Sequence, residues 1–117
     1  MIVYGINDWY RKTHILNETE YERVNIYVKQ KVREWIKNCE VFTVRNLFGY
    51  ENGDWRSTPL QIIYENYLDK YDGNEPMAYR QAAIDVGHIL KLALNEMPEK
   101  FGVERINRYV LQYYVIR

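Results

Sequence analysis

The sequence has few of the residues that hold small secreted domains together. Its 117 residues include a single cysteine, Cys39, which cannot form an internal disulfide and which fits a reducing compartment. It shows neither a secretory signal nor an apolar stretch of membrane-spanning length. We therefore expect one cytoplasmic domain over residues 1–117, not associated with a membrane, that folds around its own hydrophobic core.

Motifs for catalysis and metal binding are also missing from the sequence. It has no glycine-rich phosphate loop, no nucleophile elbow and no paired-cysteine pattern. Nothing in the spacing of His14, His88 and Cys39 indicates a shared site, and the acidic residues of 51–75 lack the dense spacing of a calcium loop. We therefore predict that the protein is not an enzyme and has neither a cofactor nor a metal site.

An excess of charge of one sign is lacking as well, because 16 basic side chains balance 16 acidic ones. The distribution is uneven: residues 51–100 have nine acidic and five basic side chains, a net charge of −4, whereas residues 1–50 and 101–117 each carry +2. Dedicated DNA-binding proteins usually have a clear positive excess, since neutralising phosphates supplies most of their non-specific affinity.

Aromatic side chains, by contrast, are abundant, with 12 tyrosines and 3 tryptophans. Tyrosine and tryptophan are enriched in interfaces, because they bring a large amphipathic area at a low cost in side-chain entropy. Most tyrosines are expected to lie half-buried over a small core. The surplus that stays exposed favours protein binding.

Helical periodicity predicts a first long helix between Asn17 and Asn38. Asn17 and Glu20 have the spacing of a capping box. Apolar residues then recur at helical spacing, at Tyr21, Val24, Val28, Val32, Trp35 and Ile36. The opposite face carries a basic row, Lys29, Arg33 and Lys37, which either contacts phosphates or stays solvated beside the helix C-terminus.

The stretch from Phe42 to Gly49 predicts a short capped helix. Thr43 can accept a backbone N–H bond as the N-cap, and Phe42 and Leu47 occupy hydrophobic-staple positions. Gly49 can close the helix. The residues left to face outward are Arg45 and Asn46.

Two further helical regions are expected in the second half of the chain. One begins at Thr58 and Pro59 and ends before Gly73. In the other, Asp85 is a plausible N-cap inside the helical pattern, so the spacing predicts two helices, 76–83 and 86–97, joined by a very short turn.

The tail, residues 101–117, is rich in Tyr, Val and Ile and predicts a hairpin over 103–116. With an ambiguous N-terminal arm over 1–16 and a helical body over 17–97, the fold class is mainly α with a small C-terminal β-hairpin, a winged-helix-like helical domain in which the hairpin is the wing. Its last strand either pairs with a second copy to make a homodimer or lies covered inside the wing.

Four spaced motifs lie between Val41 and Leu94, a segment that is under half of the chain: Phe42–Phe48, Asn52–Trp55, Thr58–Leu60 and Ile84–Gly87. In these motifs the segment resembles small, mostly uncharacterised winged-helix-like proteins of Gram-positive bacteria and their phages. Their shared stretch reads Phe-Thr-Val-Arg-Asp-Leu-Phe, a Gly/Asn-rich loop with Trp, Thr-Pro-Leu, and Ile-Asp-Val-Gly, and this chain has Asn46 in place of the Asp. The resemblance implies a fold but almost no function.

Balanced charge, an acidic middle segment and abundant aromatics favour a non-catalytic protein-binding module. One form of it is a phage or mobile-element inhibitor that docks on a host nucleic-acid enzyme such as a CRISPR nuclease, because acidic side chains can occupy a basic groove. The expected contacts are Tyr50, Glu51, Asp54, Trp55, Asp69, Asp72 and Glu75. Trp55 has an equal alternative, which is to fill the core beneath its own loop.

The alternative function is a winged-helix regulator of transcription that binds DNA through the 86–97 helix and the wing. Its expected contacts are His88, Lys91, Asn95, Arg105 and Arg108. In this arrangement Asn95 reads adenine and Lys91 reads guanine or a phosphate. The same residues can equally be the solvent-facing side of an ordinary amphipathic helix. A protein partner is favoured over nucleic acid.

Overall fold

The computed structural model describes residues 15–49, 55–108 and 110–117. Within these ranges the protein is mainly helical, as the sequence predicts, and the predicted C-terminal hairpin belongs to a three-stranded antiparallel sheet whose third strand was not predicted. The elements, in chain order, are α1 (Glu18–Ile36), β1 (Val41–Phe42), α2 (Val44–Phe48), α3 (Leu60–Lys70), α4 (Glu75–Glu96), β2 (Lys100–Asn107) and β3 (Val110–Ile116). None of the described helices is long and apolar enough to cross a membrane. Residues 1–14 of the expected arm lie outside the described residues.

Helix α1 forms where the sequence places it. The Asn17 side chain accepts from Glu20 N at 2.8 Å, and Glu20 Oε1 accepts from Asn17 N at 3.1 Å, which completes the capping box. The apolar stripe is buried at Val24, Val28, Val32 and Ile36. In the basic row of α1, Lys29 already forms an ion pair within the protein, with Glu96 of α4 at 3.0 Å.

Helix α2 is capped as expected, and Arg45 and Asn46 are exposed on it, as predicted. The Asn46 side chain also has a structural role: its Oδ1 accepts from Thr43 N at 2.9 Å while Thr43 Oγ1 accepts from Asn46 N at 3.1 Å, which closes a capping box. Gly49 ends the helix with a φ of 72°, a value that favours glycine. Arg45 remains as the polar side chain of α2 that capping does not use.

The two helices predicted over 76–83 and 86–97 are one continuous helix, α4. Asp85 is not an N-cap: its carboxylate lies buried in the middle of α4 and accepts a 2.7 Å hydrogen bond from Tyr67 Oη of α3. The N-cap is Asn74, whose Oδ1 accepts from Met77 N at 3.1 Å. Asp85 indicates a helix break when only its neighbours in the sequence are considered, but its side chain has a hydrogen-bond partner on α3. The predicted turn between two helices is therefore absent from residues 76–97.

The sheet has the order β1-β3-β2, with β3 in the centre. The predicted hairpin is confirmed, although it starts at Lys100 and not at Val103. Phe42 of β1 pairs with Tyr113 of β3, so the short strand before α2 joins the C-terminal hairpin. The free-edge alternative for the last strand is therefore wrong at Tyr113 and Tyr114, which pair with β1 on one side and with β2 on the other.

The core lies between α1, α3, α4 and the inner face of the sheet. The Phe42 ring stacks on Tyr113 with centroids 5.7 Å apart and meets Phe101 edge-on at 6.0 Å. Val28 and Val32 of α1 are fully buried in the same cluster. The aromatic trio connects all three strands to the helical body.

Candidate functional site

A groove of about 420 Å³ opens where α2, α4 and β3 meet. Helix α4 contributes one face of side chains to it, Tyr79, Ala83, Ile84, Gly87, His88 and Lys91. The other walls come from the start of α2, including Val44 and Arg45, and from Val110, Leu111 and Tyr113 of β3. Three segments far apart in the sequence therefore build one site.

The groove is deep along part of α4 because two of the residues that line it there are small. Ala83 and Gly87 are one helical turn apart, and a Cβ added at Gly87 meets nothing within 4 Å. Beside them Ile84 is 46% exposed, a high value for a large apolar side chain at a concave site. Gly87 is thus a mid-helix glycine whose missing side chain leaves open space.

Gly87→Ala should raise the free energy of unfolding by about 0.5–1 kcal/mol, because alanine lowers the entropic cost of forming the helix and its methyl group has room. Urea titration followed by circular dichroism measures the change. Ala83→Gly on the same face serves as the reverse control and should lower stability. A destabilised Gly87→Ala variant would mean that the space at residue 87 is not open.

Positive charge lies along the rim of this apolar groove. Burial lowers the pKa of Lys91, and the charge of Arg105 on β2 lowers it further. Burial and then the charge of Lys91 likewise lower the pKa of His88, which is therefore neutral at pH 7. With Arg45 on α2, the rim combines exposed and half-buried cations around apolar walls.

The structure brings together part of the set expected to bind DNA. His88 and Lys91 line the groove, and Arg105 lies close enough to Lys91 to affect its pKa. The guanidinium of Arg105 also donates to the Arg108 backbone oxygen at 3.0 Å. Asn95 does not line the groove, and its Oδ1 is buried without a hydrogen-bond partner among the described residues. The arrangement expected for reading adenine is therefore not presented.

Only part of the acidic, aromatic contact set is exposed. Trp55 is 5% exposed, and its Nε1 donates to Phe48 O at 3.2 Å, so it packs in the core and is not an exposed anchor, although it also lines the groove. Asp69, Asp72 and Glu75 are exposed around the α3–α4 connection. The remaining members, Tyr50, Glu51 and Asp54, lie outside the described residues.

Sequence reasoning missed the groove and its contributors Val44, Ile84 and Leu111. The available signal in the sequence was a glycine three residues after an isoleucine within a helical pattern, but Ile84–Gly87 reads locally as a helix break. No group of three or more His, Cys, Asp or Glu side chains in the described ranges is placed to hold a metal ion.

Comparison with protein-family models, with curated proteins and with solved structures finds no match to this chain. The resemblance to winged-helix-like proteins of Gram-positive bacteria and their phages therefore stays a prediction. The proposed function is therefore based on the groove and the surfaces around it.

Proposed function

We propose that the protein is a non-catalytic protein-binding module whose groove between α2, α4 and β3 receives an apolar segment of a partner, flanked by acidic side chains. The observation that carries the proposal is the combination of an open apolar floor at Gly87 and Ile84 with cations at Arg45 and Lys91 on the rim. Apolar contact supplies binding energy in such a site, and charge complementarity supplies orientation.

The size of the groove supports this class of ligand. A volume of about 420 Å³ is at the lower end of the range for binding pockets, enough for a few side chains of a partner but not for a folded element. Cations at the rim favour a segment with aspartate or glutamate beside its apolar residues. Half-buried Lys91 is the cation most dependent on such a partner, because burial disfavours its charged form.

Gly87→Phe should abolish binding, because its ring fills the groove while the helix gains a better helix former than glycine. The measurement is affinity capture from the native host with immobilised protein, followed by titration of the captured partner. Arg80→Phe is the matched control: it places the same ring on an exposed α4 position outside the groove and should leave binding unchanged. Capture that survives Gly87→Phe, with unfolding curves intact, would refute the groove as the contact.

A more specific candidate in the same class is the inhibitor that docks on a nucleic-acid enzyme such as a CRISPR nuclease. The exposed corner formed by Asp69, Asp72 and Glu75 supports it. The double substitution Asp69→Lys and Asp72→Lys separates the two surfaces. If this variant no longer captures the partner while the Gly87→Phe variant still does, the contact lies on the acidic corner.

DNA binding by a winged-helix-like domain is the second candidate function, supported by the proximity of Lys91 and Arg105. A gel shift with duplex DNA at low salt tests it. Under this candidate the shift falls steeply with added salt, because counterions are released, and Lys91→Ala weakens it. The absence of a shift at low salt would remove DNA as a ligand.

A further inference from the structure

Strand β2 presents its outer backbone edge to solvent. It is the last strand in the order β1-β3-β2, and no described residue pairs with its outer side. Val115 N donates to Glu40 O at 3.0 Å, so the odd-numbered residues of β3 point their backbone groups towards β1. The even-numbered residues of β3 then bond to β2, at Lys100, Gly102 and Glu104. The N–H and C=O groups of Phe101, Val103 and Arg105 consequently face outward.

We propose that a second copy of the chain pairs along this edge, antiparallel, with the two-fold axis at Gly102, to form a continuous six-stranded sheet. In this register Phe101 is opposite the partner's Val103, and the two residues exchange backbone hydrogen bonds through their outward-facing N–H and C=O groups. Lys100 is opposite the partner's Glu104, and Glu99 is opposite the partner's Arg105. A two-fold axis repeats every contact, so each charge pair occurs twice.

Charge complementarity selects this register. Moving the partner by two residues in one direction sets Lys100 opposite Ile106 of the partner subunit and separates Lys100 from Glu104. Moving it in the other direction sets Lys100 opposite Gly102 of the partner subunit. Charged residues normally protect an edge strand from pairing, and here both shifted alignments lose the pairing of Lys100 with Glu104 that the proposed register makes.

Two features at the ends and the centre of β2 fit the same pairing. Glu99 is half-buried directly before β2, and in this register its side chain is opposite the guanidinium of the partner's Arg105. The Tyr114 ring lies across Gly102 where a Cβ would otherwise be, and the side chain is 37% exposed. Pairing at Gly102 covers the two Tyr114 rings at the axis and removes their exposed aromatic area from water, which favours association.

The first test is the oligomeric state measured by sedimentation equilibrium over a range of concentrations. The wild type should move from 14.3 kDa to twice that mass. Lys100→Glu and Glu104→Lys should each weaken the dimer about tenfold, because each places two like-charged pairs in the interface, and the double variant should recover wild-type affinity. The exposed Arg33→Glu on α1 is the control and should have no effect. A monomer at every concentration, or a double variant weaker than either single one, would overturn the proposal.

The second test reads the register directly in a Cys39→Ser background. A mixture of Lys100→Cys and Glu104→Cys proteins should form a disulfide-linked heterodimer on mild oxidation, because residues directly opposite in a sheet lie within disulfide range. Neither protein alone should cross-link, since equal positions other than 102 are not opposite each other. Cross-linking of Lys100→Cys with itself would exclude this register.

Discussion

Phe42→Ala should lower the free energy of unfolding by about 3–5 kcal/mol. Its ring is fully buried, stacks on Tyr113 and meets Phe101 edge-on, so truncation leaves a cavity between all three strands. Domains of this size are stable by only about 5–15 kcal/mol, so this single change removes a large share of the stability. Urea denaturation monitored by tryptophan fluorescence and by circular dichroism measures the loss.

Val41→Ala is the matched control for this prediction. Val41 is the neighbouring residue of β1 but is 47% exposed, and its backbone oxygen still accepts from Trp35 Nε1 after truncation. We expect a loss within about 0.5 kcal/mol, as for surface substitutions away from special features. Equal losses at the two positions would show that the strand, and not the Phe42 ring, joins the hairpin to the helical body.

Asp85→Asn should stabilise the protein at neutral pH and leave it unchanged in acid. Burial raises the pKa of the Asp85 carboxyl from its usual 3.8 to about 6, although the hydrogen bond from Tyr67 and the charge of Lys70 act in the opposite direction. Burial, with the neighbouring carboxylate, also raises the pKa of Tyr67, so its hydroxyl stays protonated and donates. Folding therefore forces the charged form of Asp85 into a site that disfavours it.

The direction in which stability changes with pH follows from the raised pKa of Asp85. Below about pH 3.8 the Asp85 carboxyl is protonated in both the folded and the unfolded chain, so its burial costs no ionisation and the free energy of unfolding is not lowered. Between pH 3.8 and 6 the unfolded chain ionises first and stability falls; above pH 6 the loss is complete, up to about 3 kcal/mol for a shift of two pKa units. Asparagine stays neutral and keeps an acceptor for Tyr67 Oη, so the gain should grow from near zero at pH 3.5 to its maximum at pH 7.5.

Urea titrations of wild type and Asp85→Asn at four pH values test this, since their difference cancels the other titrating groups. Asp69→Asn, on the exposed side of α3, is the control and should show no gain that depends on pH. A constant difference between wild type and Asp85→Asn from pH 3.5 to 7.5 would contradict a raised pKa at residue 85.

Local signals were sufficient for elements whose causes are local. The capping box at Asn17 and the capped helix after Thr43 depend on residues three apart, and both are formed as the sequence predicts. The hairpin is similarly predictable, because its strands are close in sequence and rich in β-branched and aromatic residues. The predicted apolar stripe of α1 is buried for the same reason of short-range periodicity.

The candidate site could not be predicted this way, because its determinants come from different parts of the chain. Asp85 followed by Gly87 indicates a helix break when read locally, but Tyr67 on another helix satisfies the carboxylate and α4 continues. The uninterrupted helix then sets Gly87 and Ile84 opposite Leu111 of β3, and the groove results.

By itself the sequence determined a mainly helical chain with a C-terminal hairpin, the caps at Asn17 and Thr43 and the apolar stripe of α1, because periodicity and capping act within a few residues. Only the tertiary structure decided that α4 is one helix, that Phe42 pairs with the last strand and that β2 is the open edge. Those outcomes depend on hydrogen bonds and packing between residues far apart in the chain, and such contacts leave no periodic pattern in the sequence.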